Sequence, residues 1–239
     1  MSRPPRFFLA SPLGSRGEYV LDDNESRHAV QVLRLREGDA ASVFDGRGAH
    51  AAGVVVKADG KRVRLRLEAP EREPAPTPRL GLAVAIPKGG RWQNLVEKAT
   101  ELGADRLIPI LAERSVSRGE GDPARWRRWS IEAAKQCLRS RLPEISRPLP
   151  LAELLEREGG RGYPLFLADS GGEAPMRLRK RLIGAADLLF LVGPEGGFTS
   201  AEAESLRQAG AAAVRLSPFV LRIETAALAA LAAAWSLQG

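Results

Sequence analysis

The run Leu188-Leu189-Phe190-Leu191-Val192 is apolar at five consecutive positions, the pattern of a strand buried on both faces and so of a parallel sheet. It stops abruptly at Gly193-Pro194-Glu195-Gly196-Gly197-Phe198. Pro194 removes an N–H and fixes its own φ, while the glycines allow backbone angles and close approaches that a side chain forbids. Thr199 and Glu202 follow at capping-box spacing, which predicts the start of a helix. Strand, glycine-rich turn and helix make a place where bare backbone meets a ligand at the carboxyl end of a sheet. The same pattern also suits a tight turn that meets none.

Other stretches repeat the alternation. Leu80 to Ile86, Arg106 to Leu111, Tyr163 to Ala168 and Ala212 to Leu216 read as strands, and Trp92 to Leu102 as an amphipathic helix ending at Gly103. A long helix is predicted over Pro123 to Leu142, with Arg128, Glu132, Lys135 and Arg139 on one face. Trp126, Trp129, Ala133 and Cys137 recur on its apolar side, where Cys137 is expected to be buried. Repeated β-α units imply an α/β fold with helices on both faces of a parallel sheet. The last helix, about Thr225 to Leu237, is apolar nearly all round and must be covered, by another subunit or by a central position within one.

The first seventy residues have the shorter period of strands. Ala41 to Phe44 runs into Asp45-Gly46-Arg47-Gly48, a hairpin signal; Ala51 to Lys57 is Val-rich; Asp59-Gly60 turns again. Arg62-Val63-Arg64-Leu65-Arg66-Leu67 alternates basic and apolar, so one face is buried and the other shows guanidinium groups. That Arg face either holds RNA phosphates or keeps an edge strand soluble. Ser26 to Arg34 has helical spacing, and a small β-barrel carrying one helix fits the whole. Pro70 to Pro78, with prolines at 70, 74, 76 and 78, reads as a stiff linker that neither pairs in a sheet nor continues a helix.

Charge sharpens the picture. The 239 residues carry a net charge of +7, which favours a polyanionic partner. Most of it lies between Ile86 and Arg147, where 13 basic residues face 8 acidic ones. One cysteine excludes a disulfide within the chain, and with only His28 and His50 beside it no Cys/His metal cluster can be assembled. Phe7 to Ala10 is too short for a signal-peptide core, and no apolar run approaches the ~20 residues that cross a bilayer, so a cytoplasmic protein is expected.

Gly193-Pro194-Glu195-Gly196-Gly197-Phe198 followed by Leu216-Ser217-Pro218-Phe219-Val220-Leu221-Arg222-Ile223-Glu224-Thr225-Ala226 resembles the two signature motifs of the RsmE family of ribosomal RNA methyltransferases. Arg27-His28 with Val32 to Arg34, Pro87-Lys88-Gly89, Glu97 to Gly103, Glu113-Arg114-Ser115, and Ala134-Lys135-Gln136 with Arg139 agree in order and spacing. The chain departs from the family at Ser217, Phe219 and Ile223, where Gly, Arg and Thr are usual, and at Gly90 and Gln93, where acidic residues are commoner.

The resemblance implies a SPOUT enzyme that moves the methyl group of S-adenosylmethionine to N3 of a uridine in 16S ribosomal RNA. It implies a PUA-like β-barrel over residues 1–73, a linker at 74–79 and a trefoil-knotted parallel-sheet domain over 80–239. It also implies a homodimer through the C-terminal domain, acting on small-subunit RNA or the assembled subunit. Three turns are expected to grip the cofactor: Leu167 and Ala168; Gly193, Pro194, Glu195, Gly196 and Gly197; and Leu216, Ser217, Leu221 and Arg222, leading to Thr225. Ser170-Gly171-Gly172 is placed more loosely beside the first.

The chemistry then assigns roles. Arg222 cannot accept the uracil N3 proton, because a guanidinium stays protonated, but it can stabilise charge growing on a uracil carbonyl oxygen. Glu195 is the first candidate for taking the proton or holding the base edge; Glu224 is the second, and also suits a helix N-terminus. Arg6, His28, Arg34, Lys88, Arg91, Arg114, Lys135 and Arg139 are the RNA candidates. A non-catalytic RNA-binding ribosome-assembly factor accounts for the charge and barrel equally well. A Rossmann dehydrogenase needs a differently spaced, earlier glycine motif, and a Ser-His hydrolase lacks its nucleophile elbow.

Overall fold

The computed structural model of the chain describes residues 3–59, 62–116 and 121–238. The chain divides into two compact units, one running to Ala75 and including Ala134–Leu142, the other made of Pro76–Ala133 and the chain from Pro143 onward.

The first unit contains β1 (Arg6–Phe8), β2 (Gly17–Val20), α1 (Asp23–Arg27), β3 (Ala40–Phe44), β4 (Ala49–Ala58), β5 (Val63–Leu67) and β6 (Glu71–Arg72). The strands order β1-β3-β4-β5-β2, with β6 added on β4. The expected hairpin joins β3 to β4, where the buried Asp45 accepts from the N–H groups of Arg47 and Ala49. The turn at Asp59-Gly60 reaches Gly60, which lies outside the described residues. The helical stretch after Ser26 becomes α1 and a single π-helical turn over His28–Val32.

Alternation in β5 has its expected result: Val63, Leu65 and Leu67 are buried with Phe7, Leu21, Val43 and Val55. The edge-strand reading of its arginines is corrected, since β4 and β2 hydrogen-bond β5 on both sides. Arg64 and Arg66 lie 3.5 and 3.4 Å from Glu18 of β2. The proline-rich segment also departs from expectation, because β6 pairs antiparallel with β4. The prolines flank Glu71 to Glu73 and leave those N–H groups free to donate; Glu73 N–H reaches Gly48 O at 2.8 Å.

The second unit contains β7 (Arg79–Ala85), α2 (Arg91–Glu101), β8 (Ala104–Leu111), α3 (Pro123–Cys137), β9 (Glu144–Ile145), β10 (Leu149–Pro150) and α4 (Leu151–Glu158). Of α3 only Pro123–Ala133 belongs to this unit, its last residues from Ala134 being part of the first. The second unit continues with β11 (Leu165–Glu173), α5 (Arg179–Leu182), β12 (Asp187–Val192), α6 (Ser200–Gln208), β13 (Ala212–Val214) and α7 (Ile223–Ser236). The strand order is β10-β8-β7-β12-β11-β13, with β9 beside β8, and every pairing is parallel. The apolar run of β12 is paired on both edges and buried along its length.

Two elements are shorter than their patterns. The helix α3 stops at Cys137, because Leu138 takes a left-handed φ of 65° and the following amides are claimed elsewhere. Ser140 N–H donates to Glu73 Oε2 and Leu142 N–H to Gly46 O, so tertiary bonds replace the helical ladder. Arg139 therefore lies beyond the helix, and Cys137 is exposed on its final turn rather than buried. The strand β13 ends at Val214, and β11 bulges so that both Ala168 and Glu173 pair with that residue. Gly172 sits in the bulge, where a Cβ would come within 2.5 Å of the Ala213 main chain.

The alanine-rich α7 buries Ala226, Ala227, Ala230, Leu231 and Ala234 against α2, β7 and β12. Small side chains allow that approach, and Trp235 anchors the far end by donating to Leu102 O at 2.8 Å. Thr225, Ala232 and Ser236 remain exposed.

Candidate active site

Three parallel strands deliver their carboxyl ends to one cavity of about 530 Å³. Leu167 to Ser170 come from β11, Val192 to Glu195 with Gly197 and Phe198 from the end of β12 and the turn after it, and Val214, Leu216, Ser217 and Phe219 to Ile223 from the end of β13 and the chain after it. Parallel strands place all their carboxyl ends on one edge, so turns far apart in sequence meet there.

The glycine turn is built for two different reasons. A Cβ on Gly193 would lie 2.9 Å from the Phe198 ring, so this glycine admits the ring. Gly197 instead has a φ of 68°, a backbone conformation that glycine adopts without strain. Its N–H closes the turn on Pro194 O at 2.8 Å. The capping box is present in full: Glu202 N–H donates to Thr199 Oγ1 and Thr199 N–H to Glu202 Oε2. Gly196 faces away from the cavity wall toward Arg114, whose Nη1 donates to the Gly196 carbonyl at 2.9 Å.

Of the expected cofactor residues, Leu167, Ala168, Gly193, Pro194, Glu195, Gly197, Leu216, Ser217, Leu221 and Arg222 line the cavity. Gly196 and Thr225 do not; Thr225 is exposed in the first turn of α7. The pattern reading missed Val192, Phe198, Ala203, Val214, Ile223 and Ala226 as lining residues. Their apolar character marks them as core, and no local signal separates a core wall from a cavity wall. Asp169 and Phe219 also line it, the first from a turn already singled out, the second from a position noted only as a departure.

The ionic groups divide sharply. Arg222 is exposed at the cap of α7, and its guanidinium makes no hydrogen bond or ion pair among the described residues. Arg91 is engaged on three sides: Nε donates to Lys88 O at 2.9 Å, Nη1 lies 3.4 Å from Glu224 Oε1, and Nη2 lies 3.9 Å from Glu195 Oε1. This one side chain ties the start of α2, the glycine turn and the start of α7. Glu224 is the more enclosed carboxylate, 13% exposed with Oε2 buried and without a hydrogen-bond partner, against 38% for Glu195.

The remaining RNA candidates scatter. Lys88 is exposed in the turn before α2. In the first unit His28 and Arg34 are exposed, Arg34 with a φ of 55° beside the exposed Val32 and Leu33. Arg6 is half-buried, donating to Leu138 O at 2.7 Å and Ser140 Oγ at 2.8 Å and lying over the Phe44 ring. Burial pulls its guanidinium below its ordinary pKa, opposed by Cys137 and Glu73. Lys135 is half-buried, and its ammonium meets the carboxylate of the buried Glu25. Arg139 is half-buried after α3. No helix among the described residues is long and apolar enough to cross a membrane.

Comparison with known proteins agrees with this layout. Residues 73–235 match the RNA methyltransferase domain family, and residues 21–68 the RNA methyltransferase PUA domain family. Ribosomal RNA small subunit methyltransferase E of Mycobacterium bovis is 34% identical over 90% of this chain and 84% of its own. The Bacillus subtilis protein of the same name is 29% identical over 90% of this chain and 88% of its own. The crystal structure of ribosomal RNA small subunit methyltransferase E from Neisseria gonorrhoeae bound to S-adenosyl methionine superposes with a TM-score of 0.89, at 29% identity and over 99% of both chains.

Proposed function

We propose, since this chain belongs to the ribosomal RNA small subunit methyltransferase E family, that it methylates N3 of a uridine in 16S ribosomal RNA from S-adenosylmethionine. The observation that carries this reading is the meeting of three strand ends around one cavity beside an unpaired guanidinium, Arg222. The cavity lies within the ~300–1,000 Å³ usual for small-ligand sites. Its wall of main chain and apolar side chains fits an adenine ring, and the carboxylates of Asp169 and Glu195 on it fit a cationic sulfonium. When bound, S-adenosylmethionine supplies an electrophilic methyl group.

The chain's own residues do the rest. Transfer breaks the methyl carbon–sulfur bond, forms a carbon–nitrogen bond at N3, and releases the N3 proton. Positioning the two reactants supplies most of the acceleration in such a displacement. Arg222 stabilises the charge that moves onto a uracil carbonyl oxygen as the proton leaves. Glu195 receives that proton or holds the base edge. Its greater exposure and longer distance from Arg91, 3.9 Å against 3.4 Å, support this choice over Glu224.

For RNA, Lys88 of the second unit and His28 and Arg34 of the first are the better-placed candidates; Arg6, Arg91, Arg114 and Lys135 have structural partners, and Arg139 is half-buried. The division of labour follows the sequence reading: residues 1–73 hold RNA, 74–79 link, and 80–239 carry out transfer in a trefoil-knotted domain. A cytoplasmic homodimer through the exposed face of α7 completes the proposal. Incubation with methyl-labelled donor and small ribosomal subunits, followed by mapping of the label, tests it. The expected product is 3-methyluridine at one position; an unlabelled subunit RNA contradicts the reading.

A further inference from the structure

Val220 and Phe219 are, at 94% and 78% exposure, the most exposed large apolar side chains among the described residues. Single exposed hydrophobic residues are ordinary, but an adjacent pair on the wall of a cavity marks a contact surface. The loop that carries them is not loose. Leu216 and Leu221, on either side, pack against the core of the second unit, and Phe219 N–H donates to Ser217 Oγ at 3.0 Å. The fold thus pins both ends of the loop and leaves an aromatic ring in solvent between them. Three residues on stands Arg222, also exposed and unpaired.

We infer that Phe219 is a substrate-positioning residue, a stacking platform for the acceptor uracil of the RNA. This deepens the proposed methyl transfer and rests on it. A nucleobase has the two features this rim lacks, a π-face for the phenyl ring and polar edge atoms for the guanidinium. An apolar protein surface meets the ring but leaves Arg222 without a partner. A phosphate meets Arg222 but gains nothing from Phe219 and Val220. Stacking is tolerant of salt, so the contribution of Phe219 persists when phosphate contacts are screened.

The test uses the full chain loaded with S-adenosylhomocysteine and an RNA fragment holding the uridine mapped in the methylation assay. Wild type, Phe219→Ala and Phe219→Trp are titrated with that fragment and with one lacking the base at that nucleotide. On the intact fragment, Phe219→Ala weakens RNA binding by about 5- to 150-fold, the range of a lost base–aromatic stack, and Phe219→Trp restores it. On the abasic fragment wild type and Phe219→Ala bind alike, and affinity for S-adenosylmethionine is the same in all three proteins. The inference is overturned if Phe219→Ala binds the intact fragment within twofold of wild type, or if its deficit persists on the abasic one. A parallel fall in S-adenosylmethionine affinity, or dissociation of a dimer, also overturns it by assigning the ring to the donor or to a second copy. Wild type that transfers no methyl group fails at the earlier step, and the inference falls with the proposed function.

Discussion

The parallel sheet of the second unit has a hollow at each edge, and the two differ in kind. At the amino edge a space of about 800 Å³ is rimmed by Arg79, Arg106, Arg161, Glu144, Glu158 and Asp187. It is the larger and the more charged, yet most of its arginines are paired, although Arg106 Nε is buried without a hydrogen-bond partner. Arg106 lies 2.9 Å from both Glu158 Oε2 and the Tyr163 hydroxyl, Arg79 lies 3.6 Å from Glu144, and Arg161 Nε donates to Arg157 O. The carboxyl-edge cavity has a wall of turns, an exposed aromatic ring and one guanidinium without a partner. Volume and charge density thus favour the amino edge, whereas the exposed ring and the unpaired Arg222 favour the carboxyl edge, where the proposed site lies.

Breaking the amino-edge pair gives the largest expected effect, and it falls on stability. Glu158→Ala leaves the Arg106 guanidinium, 12% exposed, without its carboxylate, which costs about 3–5 kcal/mol in denaturant unfolding. Methylation per folded molecule stays at the wild-type rate. At the carboxyl edge the pattern inverts. Arg222→Ala changes unfolding free energy by less than ~0.5 kcal/mol but lowers kcat by about 10²–10³-fold, as loss of a charge-stabilising donor does. A deficit that appears in stability at both edges, or in kcat at both, erases the distinction.

Smaller effects sharpen it. Thr199→Ala removes the α6 cap and half of the box that orients Glu202, costing about 1 kcal/mol in thermal or denaturant unfolding. Arg64→Ala, at an exposed pair with Glu18 on a central strand, shifts stability by less than ~1 kcal/mol. It also leaves the salt dependence of RNA binding unchanged if that face serves the sheet alone; a slope shallower by about 1 assigns it a phosphate.

Much of this was legible in the sequence because it is locally determined. The five apolar residues of β12, the Thr199 capping box, the alternation in β5 and the apolar α7 each follow from neighbours within a turn or two. What was not legible depends on partners distant in sequence. Ser140 N–H is taken by Glu73, 67 residues away, and so α3 ends before its periodicity does. Lys135 meets Glu25, Arg91 meets Glu195 and Glu224, and Arg6 meets Leu138, which gives residues read as RNA contacts structural partners within the chain. Gly193 was legible as a glycine needed at the turn, but not that the Phe198 ring is what needs it. Phe219 was visible only as a departure, and its exposure over the cavity is a property of the folded loop.

Whether the carboxyl-edge turns form a pocket for S-adenosylmethionine is decided by calorimetric titration of the full chain with that compound. Such a pocket gives saturable heat with one site per chain, lost in Gly197→Val, whose residue 197 cannot keep its φ of 68° without strain, and retained in Arg64→Ala. Heats of dilution alone from the wild type, or binding that Gly197→Val leaves intact, contradict it.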